Sequence, residues 1–168
     1  MRRTLACLLV GLLIAVTAHA ARADAPIAVL EFELNDLTLD PGNTAERERT
    51  ASIKPLLEKT LAEAHRTVVA VDPDAQRSAD QGVGYLFDHA DTAAALGRAA
   101  GAQWVVVGRV HKASFLFVYF KAHVVNVATG EQVADLVVEV KGPQKALTVR
   151  GVESLAGQII AVVDRAAK

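Results

Sequence analysis

Apolar positions in this chain fall into two kinds of run: short unbroken stretches, and longer segments with apolar residues three and four apart. Residues 27–32 form a short run bounded by Pro26 and a polar loop over 35–43, which predicts a mostly buried strand. Thr44 is placed to cap the helix that follows, and Glu46 and Glu48 suit its positive end. Ile53, Leu56, Leu57, Leu61 and Ala64 then recur at helical spacing, with Pro55 predicting a kink or restart near Ser52. Residues 67–71 read as a second short strand, closed by Asp72-Pro73. Residues 74–88 are the least regular, and Gly82, Gly84 and Tyr85-Leu86-Phe87-Asp88-His89 suggest an ordered loop. Asp88 or Asp91 is expected to cap a helix running to Ala99, with Gly101 ending it in the left-handed conformation. Strands are predicted over 103–111, 115–127 and 132–141, and an amphipathic helix carries Val152, Leu155, Ala156, Ile159, Ile160 and Val163.

Alternation of strand and helix in the first half implies parallel pairing, and the last three strands can form a meander. The expected fold class is α/β (α+β): a mixed five-stranded sheet with a C-terminal antiparallel meander, covered by about three helices. Ala128-Thr129-Gly130 suits a three-residue hairpin turn with Gly130 left-handed. That turn pairs Val127 with Glu131, His123 with Asp135, Lys121 with Val137, Tyr119 with Glu139 and Phe117 with Lys141. Leu116, Val118, Phe120, Ala122 and Val124 then share one apolar face with Ala134, Leu136, Val138 and Val140. A slip of one residue would place Asp135 and Glu139 on that face, so the register is well determined.

The amino terminus changes the picture of where this domain works. Met1-Arg2-Arg3, the apolar run 5–16 and the small residues after it have the pattern of a secretory signal peptide, with cleavage near Ala20 or Ala23. The run is short for a membrane span. The expected organisation is a signal over 1–23 and one periplasmic or secreted domain over 24–168. Removing Arg2, Arg3 and Arg22 would leave 15 basic and 19 acidic residues, a net charge near −4 that disfavours nucleic acid. Cys7, the one cysteine, lies in the apolar run, so the mature chain would hold no thiol, disulfide or zinc–thiolate site.

Three stretches are similar to a recurring periplasmic domain: Ile27-Ala28-Val29-Leu30-Glu31-Phe32, Gly101-Ala102-Gln103-Trp104-Val105-Val106-Val107-Gly108, and Asn126-Val127-Ala128-Thr129-Gly130. That domain occurs at the amino terminus of TolB, in the curli-secretion lipoprotein (CsgG-like), and in lipoprotein activators of penicillin-binding proteins. Residues 31–39, 84–89, 108–117 and 138–142 more specifically resemble a family of small secreted proteobacterial proteins of unknown function. Both resemblances imply a periplasmic α/β module that binds an unknown periplasmic protein. Similar proteins also occur beside quinoprotein alcohol-oxidation systems, which would supply such a partner, although no residue here selects it.

Catalytic signatures are sparse. No nucleophile elbow, phosphate-binding glycine loop or spaced metal-ligand set is present, and neither a cofactor nor a metal is expected. Asp88 and His89 suit a helix start with a solvated imidazole better than acid–base work, and with His111 they are the least implausible catalytic set. Arg109, His111 and Lys112 read as a charged strand end, and His123 opposite Asp135 as a structural cross-strand pair. Phe115, Phe117 and Tyr119 alternate on one side of a strand with Lys121 and His123. Covered by a helix they are core; uncovered, they form an aromatic patch rimmed by charge, suited to binding protein. The candidate partner surface is therefore Phe115, Phe117, Tyr119, His123, Asp135, Arg109 and His111. The alternative, a small-molecule site, would use a pocket at the strand ends near Asp36, Tyr85, Asp88 and His89.

Overall fold

The computed structural model describes residues 25–142 and 145–167, and the expected signal peptide lies outside them. Strand β1 (Ile27–Val29) is followed by a second strand, β2 (Glu33–Asp36), where a polar loop was expected to begin. Between them the side chain of Gln76 takes over the broken ladder. Its Oε1 accepts the N–H of Glu31 at 2.9 Å, and its Nε2 donates to the Glu31 carbonyl at 3.2 Å. Phe32 turns into the core there, over Gly108. A Cβ at Gly108 would come within 2.2 Å of the Phe32 ring, so glycine is what admits this aromatic.

Helix α1 (Thr44–Glu63) is capped by Asn43 rather than Thr44. The Asn43 carboxamide oxygen accepts the N–H of Glu46 at 3.0 Å, and Thr44 is already inside the helix. Pro55 does not restart it: the helix runs unbroken through this position, and Pro55 lies on its exposed side, where water can satisfy the carbonyl that proline leaves unbonded. Strand β3 (Val68–Val69) leads into two short helices, α2 (Pro73–Ala79) and α3 (Tyr85–Asp88), within the segment expected to be irregular. Asp72 caps α2 and Pro73 occupies its first turn. The next helix, α4 (Ala90–Ala99), begins after His89, so Asp88 and Asp91 do not cap it. Gly101 follows at φ 74°, as expected.

Strands β4 (Trp104–Lys112), β5 (Phe117–Asn126) and β6 (Gln132–Lys141) form the meander, and α5 (Lys145–Ala166) closes the fold. The sheet is mixed, in the order β3-β1-β4-β5-β6, with β2 the sixth strand. One edge of β4 serves both early strands in parallel, β1 over Trp104 to Val106 and β2 over Arg109 to Lys112. The fold is thus of the expected α+β class; the described residues form six strands where five were expected and five helices where about three were expected, β2 and the short α2 and α3 being the additions.

The hairpin register is the expected one. His123 lies opposite Asp135, Lys121 opposite Val137, Tyr119 opposite Glu139 and Phe117 opposite Lys141. Gly130 adopts φ 73°. The register departs only near the turn, where an irregularity at Val124/Val125 sets Val125 opposite Gln132. Val127 then leaves the hairpin, its N–H donating to the Gln103 carbonyl at 3.0 Å.

Two apolar layers result. On the core face Phe120, Val124, Val138 and Val140 pack with Leu57 and Leu61 of α1 and Leu155 and Ile159 of α5. Leu136 on this face is half-buried, whereas Leu116 is exposed in the β4–β5 link. Helix α5 is long and apolar enough to cross a membrane by composition, but its apolar side is spent on this core. On the other face, Val105, Val107, Val125 and Val127 pack under Leu86 and Phe87 of α3 and Ala93 and Leu96 of α4.

Candidate functional site

The layer of α3 and α4 stops partway across the sheet. Its last aromatic, Phe87, meets the His123 ring at a tilt of 34° with centroids 3.7 Å apart, and the Arg109 guanidinium lies 4.1 Å from the Phe87 ring centroid. From this line outward four strands carry their side chains side by side, Glu33 and Arg109 still held against α3 and the β5–β6 positions uncovered. One row runs Asn35, His111, Tyr119, Glu139; the next runs Glu33, Arg109, Lys121, Val137. Phe117 is 40% exposed with the Lys141 ammonium 6.0 Å from its ring centroid. Phe115, 62% exposed, does not join this face as expected: it sits in the β4–β5 link, before the strand begins, with its ring 5.5 Å from the ammonium of Lys112, whose side chain lies on the opposite face of the sheet with Asp36. Aromatic rings set among charges of both signs, without a helix over them, match the make-up of protein-binding surfaces.

Several polar groups on and beside this face have defined partners. Arg109 is ion-paired to Glu33, whose other carboxylate oxygen accepts the N–H of Gly84 at 2.6 Å, tying the patch to α3. The Asn35 amide lies 3.3 Å from His111 Nδ1. Burial pushes the His111 pKa down and the charges of Lys121 and Arg109 add to that, all three favouring the neutral ring. His123 Nδ1 is 2.9 Å from the Phe87 carbonyl, and its Nε2 lies 3.6 Å from Asp135. With one ring nitrogen bonded to backbone and an aromatic on its face, His123 is a strut between sheet and helix, as a structural pair requires.

The loop residues do not assemble into the expected pocket. Tyr85 and His89 stack at 4.1 Å, and His89 Nδ1 bonds the Tyr85 carbonyl at 2.8 Å, leaving an exposed imidazole tied to its own turn beside exposed Asp88. Asp36 points to the opposite face of the sheet, and its side chain is only 1% exposed. It accepts hydrogen bonds from Thr38 and Gly42 and pairs with Lys112 at 3.2 Å. A groove of about 660 Å³ lies elsewhere, against α1 and the start of α5, lined by Pro55, Leu56, Arg49 and Thr148 among others.

Sequence reasoning missed the buried charges around Asp36. Lys112 is 3% exposed and also meets Glu46 at 3.4 Å. Glu46 is 3.6 Å from Arg49, whose Nε donates to Thr148 at 3.0 Å and whose Nη2 donates to the Gly142 carbonyl at 3.3 Å. Two acids and two bases thus join β2, β4, α1 and α5 beneath the sheet. Burial opposes the charge on Asp36, but its hydrogen bonds outweigh burial and lower its pKa from 3.8 to about 2.

Comparison with known proteins places this architecture. PelC from Paraburkholderia phytofirmans, solved as a dodecamer, superposes with a TM-score of 0.52 at 16% identity, over 85% of this chain and 89% of that one. Lipoprotein GNA1162 from Neisseria meningitidis gives 0.54 at 15% identity, over 81% of this chain and 96% of its own. TolB from Acinetobacter baumannii aligns over 82% of this chain and 30% of its own, at 16% identity and a TM-score of 0.47. For PelC and GNA1162 the likeness, at these identities, is one of fold. The curli-secretion resemblance rests on the sequence motifs alone. No curated protein matches the sequence. The family model described as "Protein of unknown function (DUF2380)" matches residues 25–160, and the chain belongs to that family.

Proposed function

We propose that this protein is an exported, non-catalytic interaction module of the cell envelope, and that it binds a protein partner through the open half of its sheet. The observation that carries this reading is the aromatic and charged face formed by Phe117, Tyr119, Lys121, Val137 and Glu139, left bare where the α3–α4 layer ends. A face that a helix of the same chain covered would be apolar; this one alternates rings and charges, which suits a contact that forms and separates. Export is supported by the signal pattern over residues 1–23, and residues 24–168 would be the exported domain. Solved proteins of similar fold include a lipoprotein and a dodecamer, which fits an assembly role in the envelope. A partner from a quinoprotein alcohol-oxidation system has no support in these likenesses.

Photo-crosslinking in cells tests the reading. A crosslinker in place of Phe117 or Tyr119 should give one discrete adduct, lost when Lys121→Glu is added. The same crosslinker in place of exposed Glu153 on α5 should not give it. Equal labelling from Glu153, or no adduct from the sheet face, would sink the proposal. The groove beside α1 supports a second reading as a small-molecule binder, since its volume lies within the usual range of ligand sites. A thermal-shift screen of periplasmic metabolites separates the two, because a ligand at a hundred times its Kd adds about 2.7 kcal/mol.

A further inference from the structure

A strand at the rim of a sheet presents a row of unpaired backbone groups to any chain that meets it. The two rims of this sheet differ. One side ends in two short strands, β3 with two residues and β2 with four, whereas β6 ends the other with ten, contains no proline and has no strand on its outer edge among the described residues.

Hydrogen bonds at the strand ends identify the outward groups. The N–H of Gly142 donates to the Leu116 carbonyl at 3.0 Å, continuing the ladder that sets Lys141 opposite Phe117. Even-numbered residues of β6 therefore bond to β5. On the far side of β5, the N–H of Ala113 donates to the Phe117 carbonyl at 3.1 Å, so odd-numbered residues of β5 are turned to β4, as the alternation demands. The backbone N–H and C=O groups of Asp135, Val137, Glu139 and Lys141 accordingly face away from the sheet. Their side chains lie on the open face, where Val137 is 47% exposed.

We propose that β6 pairs antiparallel with β6 of a second copy, about a two-fold axis at Val138, placing Asp135 of each copy opposite Lys141 of the other. Every contact across a two-fold axis occurs twice, so charge selects the register sharply. An axis at Val137 would set Asp135 against Glu139 twice, with like charges on one face. An axis at Leu136 would leave Asp135 opposite Val137 and draw in Glu131, which lies outside the strand. The axis at Val138 forms two opposite-charge pairs and sets Val137 opposite Glu139. Lys141 is exposed and now lies 3.2 Å from Glu139 of its own strand, so it has only to turn along the edge. On the core face this register brings half-buried Leu136 opposite Val140, extending the apolar row across the axis. It would also cover the groove of about 200 Å³ between β6 and α5, lined by Val138, Val140, Leu147 and Ser154 among others.

Analytical ultracentrifugation of protein purified from cells expressing the full chain tests this. Wild type should sediment as a concentration-dependent dimer. Val137→Pro removes one outward N–H without touching the β5 ladder, and should sediment as a monomer with unchanged circular dichroism. Asp135→Lys should weaken the dimer by about tenfold, and Asp135→Lys with Lys141→Asp should restore it. Should Val137→Pro fail to fold, the charge-swap pair decides alone. A monomer at every concentration up to millimolar, a dimer indifferent to the edge variants, or a strand from a different protein seated on β6 would each overturn the proposal.

Discussion

Asp36→Asn removes one charge from a buried, balanced set. The Asp36 side chain is 1% exposed, 3.2 Å from Lys112, and accepts hydrogen bonds from the Thr38 N–H at 3.0 Å, the Thr38 hydroxyl at 2.7 Å and the Gly42 N–H at 3.1 Å. These contacts outweigh burial and hold its pKa at about 2 against 3.8. A fall of that size corresponds to about 2 kcal/mol of stability. The folded pKa lies below the unfolded one, so the unfolded chain takes up the proton first. The contribution is therefore complete above about pH 5 and is lost as the pH falls through 3.8 toward 2. At neutral pH, Asp36→Asn leaves buried Lys112 with Glu46 alone, which should cost about 3 kcal/mol, the lower end for a broken buried pair. Urea denaturation at pH 7 and at intervals down to pH 2.5 measures both effects. The variant should be less stable at neutral pH and should lose about 2 kcal/mol less than wild type across the acid range. Equal stability at pH 7, or parallel acid slopes, would refute the network as a source of stability.

Phe120→Ala should cost about 3–5 kcal/mol by cavity formation, because Phe120 is fully buried between the sheet and α5. A loss under about 1 kcal/mol in the same denaturation assay would mean that the two sheet faces are assigned the wrong way round. Gly130→Val should destabilise by more than about 1 kcal/mol, since a β-branched residue resists φ 73°; an unchanged melting temperature would count against the left-handed hairpin turn.

The hairpin was legible because one short turn and one alternation settle it. Only a turn at Ala128-Thr129-Gly130 keeps Asp135 and Glu139 off the face that carries Phe120. α5 was legible for a similar reason, its apolar spacing being unbroken from Val152 to Val163. β2 was not. Glu33-Leu34-Asn35-Asp36 has no apolar alternation, and the strand is held by partners 76 residues away, Arg109 to Glu33 and Lys112 to Asp36. No local pattern reports such pairing. The same blindness hid the buried charges and placed Asp36 in a loop pocket. α2 did carry a signal, since Asp72-Pro73 is both a strand stop and a helix cap followed by a first-turn proline. His89 in place of Asp88 at the start of α4 shows the limit of reading caps from residue type, for that helix begins without any side-chain cap.

The bare face and the bare edge have one geometric origin. α2, α3 and α4 lie on one side of the sheet and reach only as far as Phe87 and His123, and the other two described helices, α1 and α5, are spent on the opposite face. The β5–β6 half is therefore left with an uncovered side and an unpaired rim, and the same odd-numbered residues supply both: Val137 and Glu139 send side chains to the face and backbone groups to the edge. Pairing two copies through β6 would leave that face open and make it continuous across the axis, with Tyr119 and Phe117 of each copy on one extended surface. A partner with two matching segments would then gain avidity from a second, intramolecular contact without any new residue being required. Asp135→Lys should accordingly weaken partner capture together with the dimer, and adding Lys141→Asp should restore both, whereas Lys121→Glu should abolish capture and leave the dimer intact. That separation ties the rim to assembly and the face to recognition; edge variants that change dimerisation but not capture would show that the two are independent.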